Sequence, residues 1–187
     1  MKIIKRKPKQ KGFTLIELLL IVGFISIASI GIYSTAKLAV NTRSAAVEAT
    51  HLKALGDVLV NSYGIAGDYS LVTTNTVAQN PSMLPNGMVD SNSGNLVNEF
   101  GGTIQVQPAP DLINMAGTPL HGFTIIDQNI DAKACIKVVT NAEGMFTQIQ
   151  VNNQVVQPVF GQVNPDALAV YCSQNDMASI SFTYYGF

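Results

Sequence analysis

From Phe13 to Ile32 the chain runs for 20 residues with one ionisable side chain, Glu17. At about 1.5 Å of rise per residue, such a helix spans the roughly 30 Å hydrocarbon core of a bilayer. The pattern therefore predicts a membrane helix. Beyond Ile32 its character changes. Leu38, Ala45, Ala49, Leu52, Leu55 and Leu59 recur at steps of three, four and seven, while Lys37, Asn41, Arg43, Glu48, Lys53 and Asp57 fall largely on other faces. This spacing predicts an amphipathic helix with one apolar stripe. No proline interrupts residues 13–64, and Gly64 and Gly67 supply stop signals near Asp68. One helix from Phe13 to about Gly64 would be roughly 78 Å long at about 1.5 Å per residue. Gly23, Gly31 and Gly56 are its weak points, each costing about 1 kcal/mol against alanine.

Residues 68–102 are rich in Asn, Ser, Gly and Pro and predict a long surface loop with some short structure. Within it, Asp90-Ser91-Asn92-Ser93-Gly94-Asn95 looks like the opening of a calcium loop, but Gly101 stands where the bidentate acid belongs. A solvated turn is the favoured reading. Alternating or β-rich runs follow at Thr103–Gln107, Phe123–Ile126, Met145–Val151 and Ala178–Tyr184. They predict a four-stranded, largely antiparallel sheet with one face on the amphipathic half of the helix, an α+β fold. Two short helices are expected between strands. One covers about Ala132–Val139; the other opens at Asn164-Pro165-Asp166, where an N-cap, an N1 proline and an early acid coincide.

Charge sharpens the topology. Of the 187 residues only 12% are charged, and the first eleven carry Lys2, Lys5, Arg6, Lys7, Lys9 and Lys11 with no acid. The rest carries five bases against all twelve acids, a formal charge of −7. A basic head beside an apolar helix is a positive-inside signal, placing the N-terminus in the cytoplasm and the bulk of the chain across the membrane. The apolar stretch is too long for an ordinary secretory signal, and no small-residue site at Ala28–Gly31 is followed by polar mature sequence. Cys135 and Cys172 then lie on the exported side, where an isolated pair reads as a disulfide before a redox or metal site. His51 and His121 stand alone, without ligand spacing.

The junction Lys11-Gly12-Phe13-Thr14-Leu15-Ile16-Glu17-Leu18 is more particular. It resembles the class III signal of type IV pilins and of type II secretion pseudopilins. The resemblance is close over roughly residues 1–40 and looser beyond. It implies a basic leader of residues 1–12, a membrane and filament-core helix of residues 13–39, and a globular head of residues 40–187. A prepilin peptidase and methyltransferase would cut between Gly12 and Phe13 and methylate Phe13. Glu17 would serve assembly, and Cys135 and Cys172 would form the C-terminal disulfide loop of the family. Implied partners are that peptidase, the bacterial inner membrane, other pilin subunits in a homopolymer and the pilus assembly machinery. The precursor would sit in the inner membrane and the assembled subunit in an extracellular filament. No cofactor, metal or nucleic acid is implied. Asn129–Cys135 resembles the type IVb subgroup, whereas Phe13 as first mature residue is more usual in type IVa, which leaves the subgroup open.

Physical chemistry supports a role for Glu17 independently. An acid inside a membrane segment costs on the order of 2.5–3.5 kcal/mol at the centre and is functional by default. One helical turn separates it from the amine that a cut before Phe13 would create. Pairing the two, within or between subunits, removes an unpaired buried charge. Beyond this motif no phosphate loop, nucleophile elbow or His/Cys/Asp cluster at metal spacing is present. A structural filament subunit, not an enzyme, is the leading reading. A pseudopilin and a minor or DNA-uptake pilin are the alternatives. The DNA reading is weakened by a region beyond Gly64 with only Lys133 and Lys137 as bases.

Overall fold

A computed structural model describes residues 14–81, 84–113, 117 and 119–186; the side chains of 27–41 are outside that description. The chain divides into two compact units, Met1–Val40 and Asn41–Phe187. Helix α1, Leu15–Tyr63, is 49 residues long and contributes to both.

In the second unit the apolar stripe of α1 is the floor of a core. Ala45, Ala49, Leu52, Leu55 and Leu59 are all buried, while Leu38 lies among the side chains outside the description. The helix stops where the sequence signals it. Gly64 donates its N–H to the Val60 carbonyl at 2.8 Å, and a Cβ at Gly64 would meet that oxygen at 2.4 Å.

Residues 68–102 are less free than a surface loop. Tyr69, Val72, Val77, Met88 and Leu96 are buried and pin the segment to the core. Helix α2, Thr74–Ala78, is held by a capping box in which Thr73 and Thr76 satisfy each other's backbone N–H groups.

Six strands then form a wholly antiparallel sheet in place of the four expected. They are β1 (Ile104–Pro108), β2 (Leu112–Ile113), β3 (Pro119–Asp131), β4 (Gln148–Val151), β5 (Gln154–Gln157) and β6 (Met177–Gly186). The order is β1-β3-β6-β4-β5, with β2 paired to β3. The two additional strands are short. β5 returns from β4 through Asn152 and Asn153, both at positive φ (51° and 65°), which suits the twist of a two-residue hairpin. Central strands β3 and β6 set Ile125 opposite Phe182 and Phe123 opposite Tyr184. Their rings meet neighbours: Phe146 lies 5.1 Å from Phe182, and Phe123 lies between Tyr69 and Tyr184 at 5.6 and 5.4 Å.

Helix α3, Ala132–Ala142, follows β3 directly, with the Asp131 side chain accepting from Ala134 N–H. Helix α4, Pro165–Ser173, opens at Asn164, whose side chain accepts from the N–H groups of Asp166 and Ala167. Both starts follow from their sequence: an Asx side chain satisfies amides that the helix leaves bare.

Candidate functional site

The first described residues form an apolar rod with one carboxylate. Thr14 precedes the helix, its carbonyl accepting from the N–H groups of Glu17 and Leu18 at 3.0 and 3.1 Å. Glu17 is thus the third helical residue, and its Oε2 lies 3.5 Å from the Thr14 N–H. This is the long half of a capping arrangement, with a negative group at the positive end of the helix dipole. Around Glu17 the surface is apolar on all sides: Leu15, Ile16, Leu18, Leu19, Leu20, Ile21, Val22, Phe24 and Ile25 are exposed. Ser26 turns its hydroxyl inward to the Val22 carbonyl at 2.8 Å, which hides a polar group from an apolar surrounding. Among the described residues no helix is long and apolar enough to cross a membrane. A large part of the expected membrane segment, the side chains of 27–41, lies outside the description, as do Gly12, Phe13 and the leader.

In the second unit Cys135 and Cys172 are joined, with their Cα atoms 5.8 Å apart. This is the pairing the resemblance implied. Both cysteines are fully buried and staple α3 to α4, drawing 37 positions of sequence into one closed loop. The calcium-like run is occupied internally. Asp90 Oδ1 accepts from the Asn92 N–H at 3.0 Å and Oδ2 from the Ser93 hydroxyl at 2.8 Å. These bonds hold the Asp90 carboxyl below its usual range, in an exposed turn. Among the described residues no group of three or more His, Cys, Asp and Glu could hold a metal ion.

One polar cluster had not been anticipated. Glu48 was placed with the solvent-facing residues of α1, yet it is 0% exposed, as is Asp127 of β3. Glu48 Oε2 accepts from the Glu99 N–H at 2.8 Å, and Asp127 Oδ1 accepts from Asn98 Nδ2 at 2.6 Å. Asn98 Oδ1 in turn takes the N–H groups of Phe100 and Gly102. Next to them, His51 Nδ1 lies 3.4 Å from Glu99 Oε1. Burial pushes the Glu48 carboxyl up to about 7 against the opposing Glu99 N–H, with the Glu99 charge adding to the rise. Burial, then the neighbouring Glu48, pushes Asp127 up as well. The signal was present in the spacing. Positions 45, 48, 52, 55 and 59 step by three and four, which puts Glu48 on the stripe itself.

Comparison with known proteins agrees with this architecture. Residues 43–185 match the family described as PilS N terminal. The crystal structure of TcpA, a type IV pilin from Vibrio cholerae El Tor biotype, is similar with a TM-score of 0.53 over 76% of this chain and 98% of that chain. At 16% identity that likeness is one of fold. No curated protein matches.

Proposed function

This chain belongs to the PilS N-terminal family of type IV pilins, and from that premise we propose that it is a structural subunit of a pilus filament. A basic leader of residues 1–12 is removed after Gly12 by a prepilin peptidase, which then methylates Phe13. Residues 13–39 hold the subunit in the inner membrane and afterwards line the filament core, and residues 40–187 form the head.

The observation that carries this reading is the apolar surface from Leu15 to Ile25, exposed on every side of the helix with Glu17 set into it. Leaving that much hydrocarbon in water is unfavourable by about 25 cal/mol per Å². Lipid and then neighbouring subunits are the two surroundings that remove it. Glu17 acts as the register device: its carboxylate meets the Phe13 amine of an adjacent subunit, so that neither charge stays unpaired.

The test is Glu17→Ala. Membrane insertion is expected to survive, because the segment becomes more apolar. Cleavage is expected to survive too, because the peptidase reads the leader and Gly12. Filaments are expected to be lost or greatly reduced, since each added subunit buries a charged terminus without its partner. Sheared filaments are quantified beside the processed, membrane-bound subunit. Normal filaments from Glu17→Ala would overturn the pairing.

A further inference from the structure

We propose that Glu48 and Asp127 hold one proton between them at neutral pH, and that this proton fastens the Asn98–Gly102 segment onto α1 and β3. Each carboxyl has one oxygen in use, on the Glu99 N–H and on Asn98 Nδ2. The other two, Glu48 Oε1 and Asp127 Oδ2, are buried with no hydrogen-bond partner. A bare acceptor on an ionised carboxylate is among the least favourable groups to bury. The two carboxyls hold consecutive residues, Asp127 the Asn98 side chain and Glu48 the Glu99 N–H, and each acts on the other's neighbourhood. One proton placed between them would convert one bare acceptor into a donor and leave the other to accept. Like charges held close in a site of this kind do not both ionise.

Among the described residues no cation pairs with Glu48 or Asp127. The described ion pairs are His51–Glu99 and His121–Asp111. From α1, His51 faces Glu99, and Arg43 and Lys53 are exposed. From the 98–102 segment the facing charge is Glu99, itself an acid that raises Glu48 further. From β3 it is Asp127. On α3, Lys133 is exposed and Lys137 bonds to Thr42. The cluster therefore sets three carboxyls against one imidazole.

The consequence runs through residues 98–102. Asn98 spans the gap, bonding Asp127 and the Gln128 carbonyl with its amide and the N–H groups of Phe100 and Gly102 with its oxygen. When the shared proton leaves, two buried negative charges remain beneath this clasp and repel each other. A carboxyl raised on folding stabilises the folded state below its unfolded value, and that contribution is lost as pH rises through the folded value. For Glu48 the window runs from 4.5 to about 7. Across it the folding equilibrium constant is expected to fall on the order of 100-fold.

The experiment uses the full chain in detergent. Urea midpoints are measured from about pH 5 to about pH 8 for the wild type, Glu48→Gln and Asp127→Asn. Each variant puts an amide donor where the proton sits. The wild-type midpoint is expected to fall with rising pH. Both variants are expected to lose most of that slope and to exceed the wild type at about pH 8. Isotope-edited infrared spectra of the wild type near pH 6 are expected to show a protonated carboxyl that each variant removes. This second readout decides the matter if a variant does not fold. An unchanged slope in both variants, or no protonated carboxyl in the wild type, overturns the proposal. So does a wild-type midpoint at about pH 8 that added calcium restores, because a metal ion would then be the occupant.

Discussion

Leu19 and Leu52 are the same residue on the same helix, yet Leu19 is 62% exposed and Leu52 is fully buried. Around Leu52 the chain supplies its own partners: Leu55 and Leu59 from α1, and Ile125 and Phe182 from the sheet, share one core. Around Leu19 it supplies none among the described residues beyond the helix itself, and its neighbours Ile16, Leu20 and Phe24 are equally exposed. The two stretches obey the same physics with different solvents. The head is folded by burial that one chain completes. The N-terminal stretch carries an apolar surface that the described residues leave exposed, and it is the surface that the proposed polymerisation would cover.

The largest effect is expected from breaking the completed side. Leu52→Ala removes a fully buried side chain from the floor of the core and is expected to cost about 2–5 kcal/mol of head stability. Leu19→Ala makes the same chemical change on the exposed side and is expected to leave the urea midpoint unmoved. Near-ultraviolet circular dichroism of the tyrosines follows the head in both variants. Equal losses in the two would erase the distinction between the regions.

Cys135→Ser is expected to cost about 3–4 kcal/mol on the chain-entropy view of a loop this long. Subunit abundance should then drop before filament form changes, because the unfolded fraction is cleared by proteolysis. Non-reducing peptide mapping checks the bond, and a free thiol at Cys172 in the wild type would count against it.

How much of this was legible beforehand differs between residues for physical reasons. Ala45, Ala49, Leu52, Leu55 and Leu59 were readable because a 3.6-residue period is set by backbone geometry alone. Asn164 was readable because a cap is a local bond. β5 was not, because four residues, Gln154–Gln157, are too few to show a period. Its hairpin rests on Asn152 and Asn153 adopting positive φ. Glu48 was missed for another reason. A charge is ordinarily assigned to solvent, and the group that meets this one inside, the Glu99 N–H, lies more than 50 positions away, with the Asn98–Asp127 bond beside it. Glu17 was legible as an anomaly, a lone acid in an apolar run, although Gly12 and Phe13 lie outside the described residues.

Gly102→Ala sharpens the comparison within the head, where tertiary closeness and not conformation demands a glycine. A Cβ there would stand 1.9 Å from the Gln128 carbonyl oxygen and 2.7 Å from Asn98 Nδ2. The neighbouring strand is already irregular, since β3 shifts register between Asp127 and Ile130 with Asn129 at a φ of 66°. Moving it further is expected to cost about 1–3 kcal/mol, as overpacking does. Faster amide exchange at residues 98–102 than elsewhere in the head would localise the damage. Uniform loss would mean that the segment is not a separate clasp.

The smallest effect is expected at Thr74, where a side chain stands in for a missing strand. β1 is the edge of the sheet, and among the described residues its Val106 backbone has no neighbouring strand on its outer side. The Thr74 hydroxyl fills that place from α2: it accepts from the Val106 N–H at 2.9 Å and donates to the Val106 carbonyl at 3.2 Å. One oxygen thereby satisfies both groups of a residue whose side chain is buried. An uncovered edge is a template for another chain, and a filament subunit packed among its own copies is exposed to that risk continually. Thr74→Val keeps the shape and removes both bonds, at an expected cost of about 1–2 kcal/mol. Thr74→Ser keeps the hydroxyl and is expected to recover most of the loss. The decisive readout is selective: in Thr74→Val the Val106 amide should exchange faster while amides of β6 at the sheet's centre stay protected. If Val106 remains as protected as in the wild type, solvent replaces the hydroxyl without cost, and the edge of this sheet needs no guard.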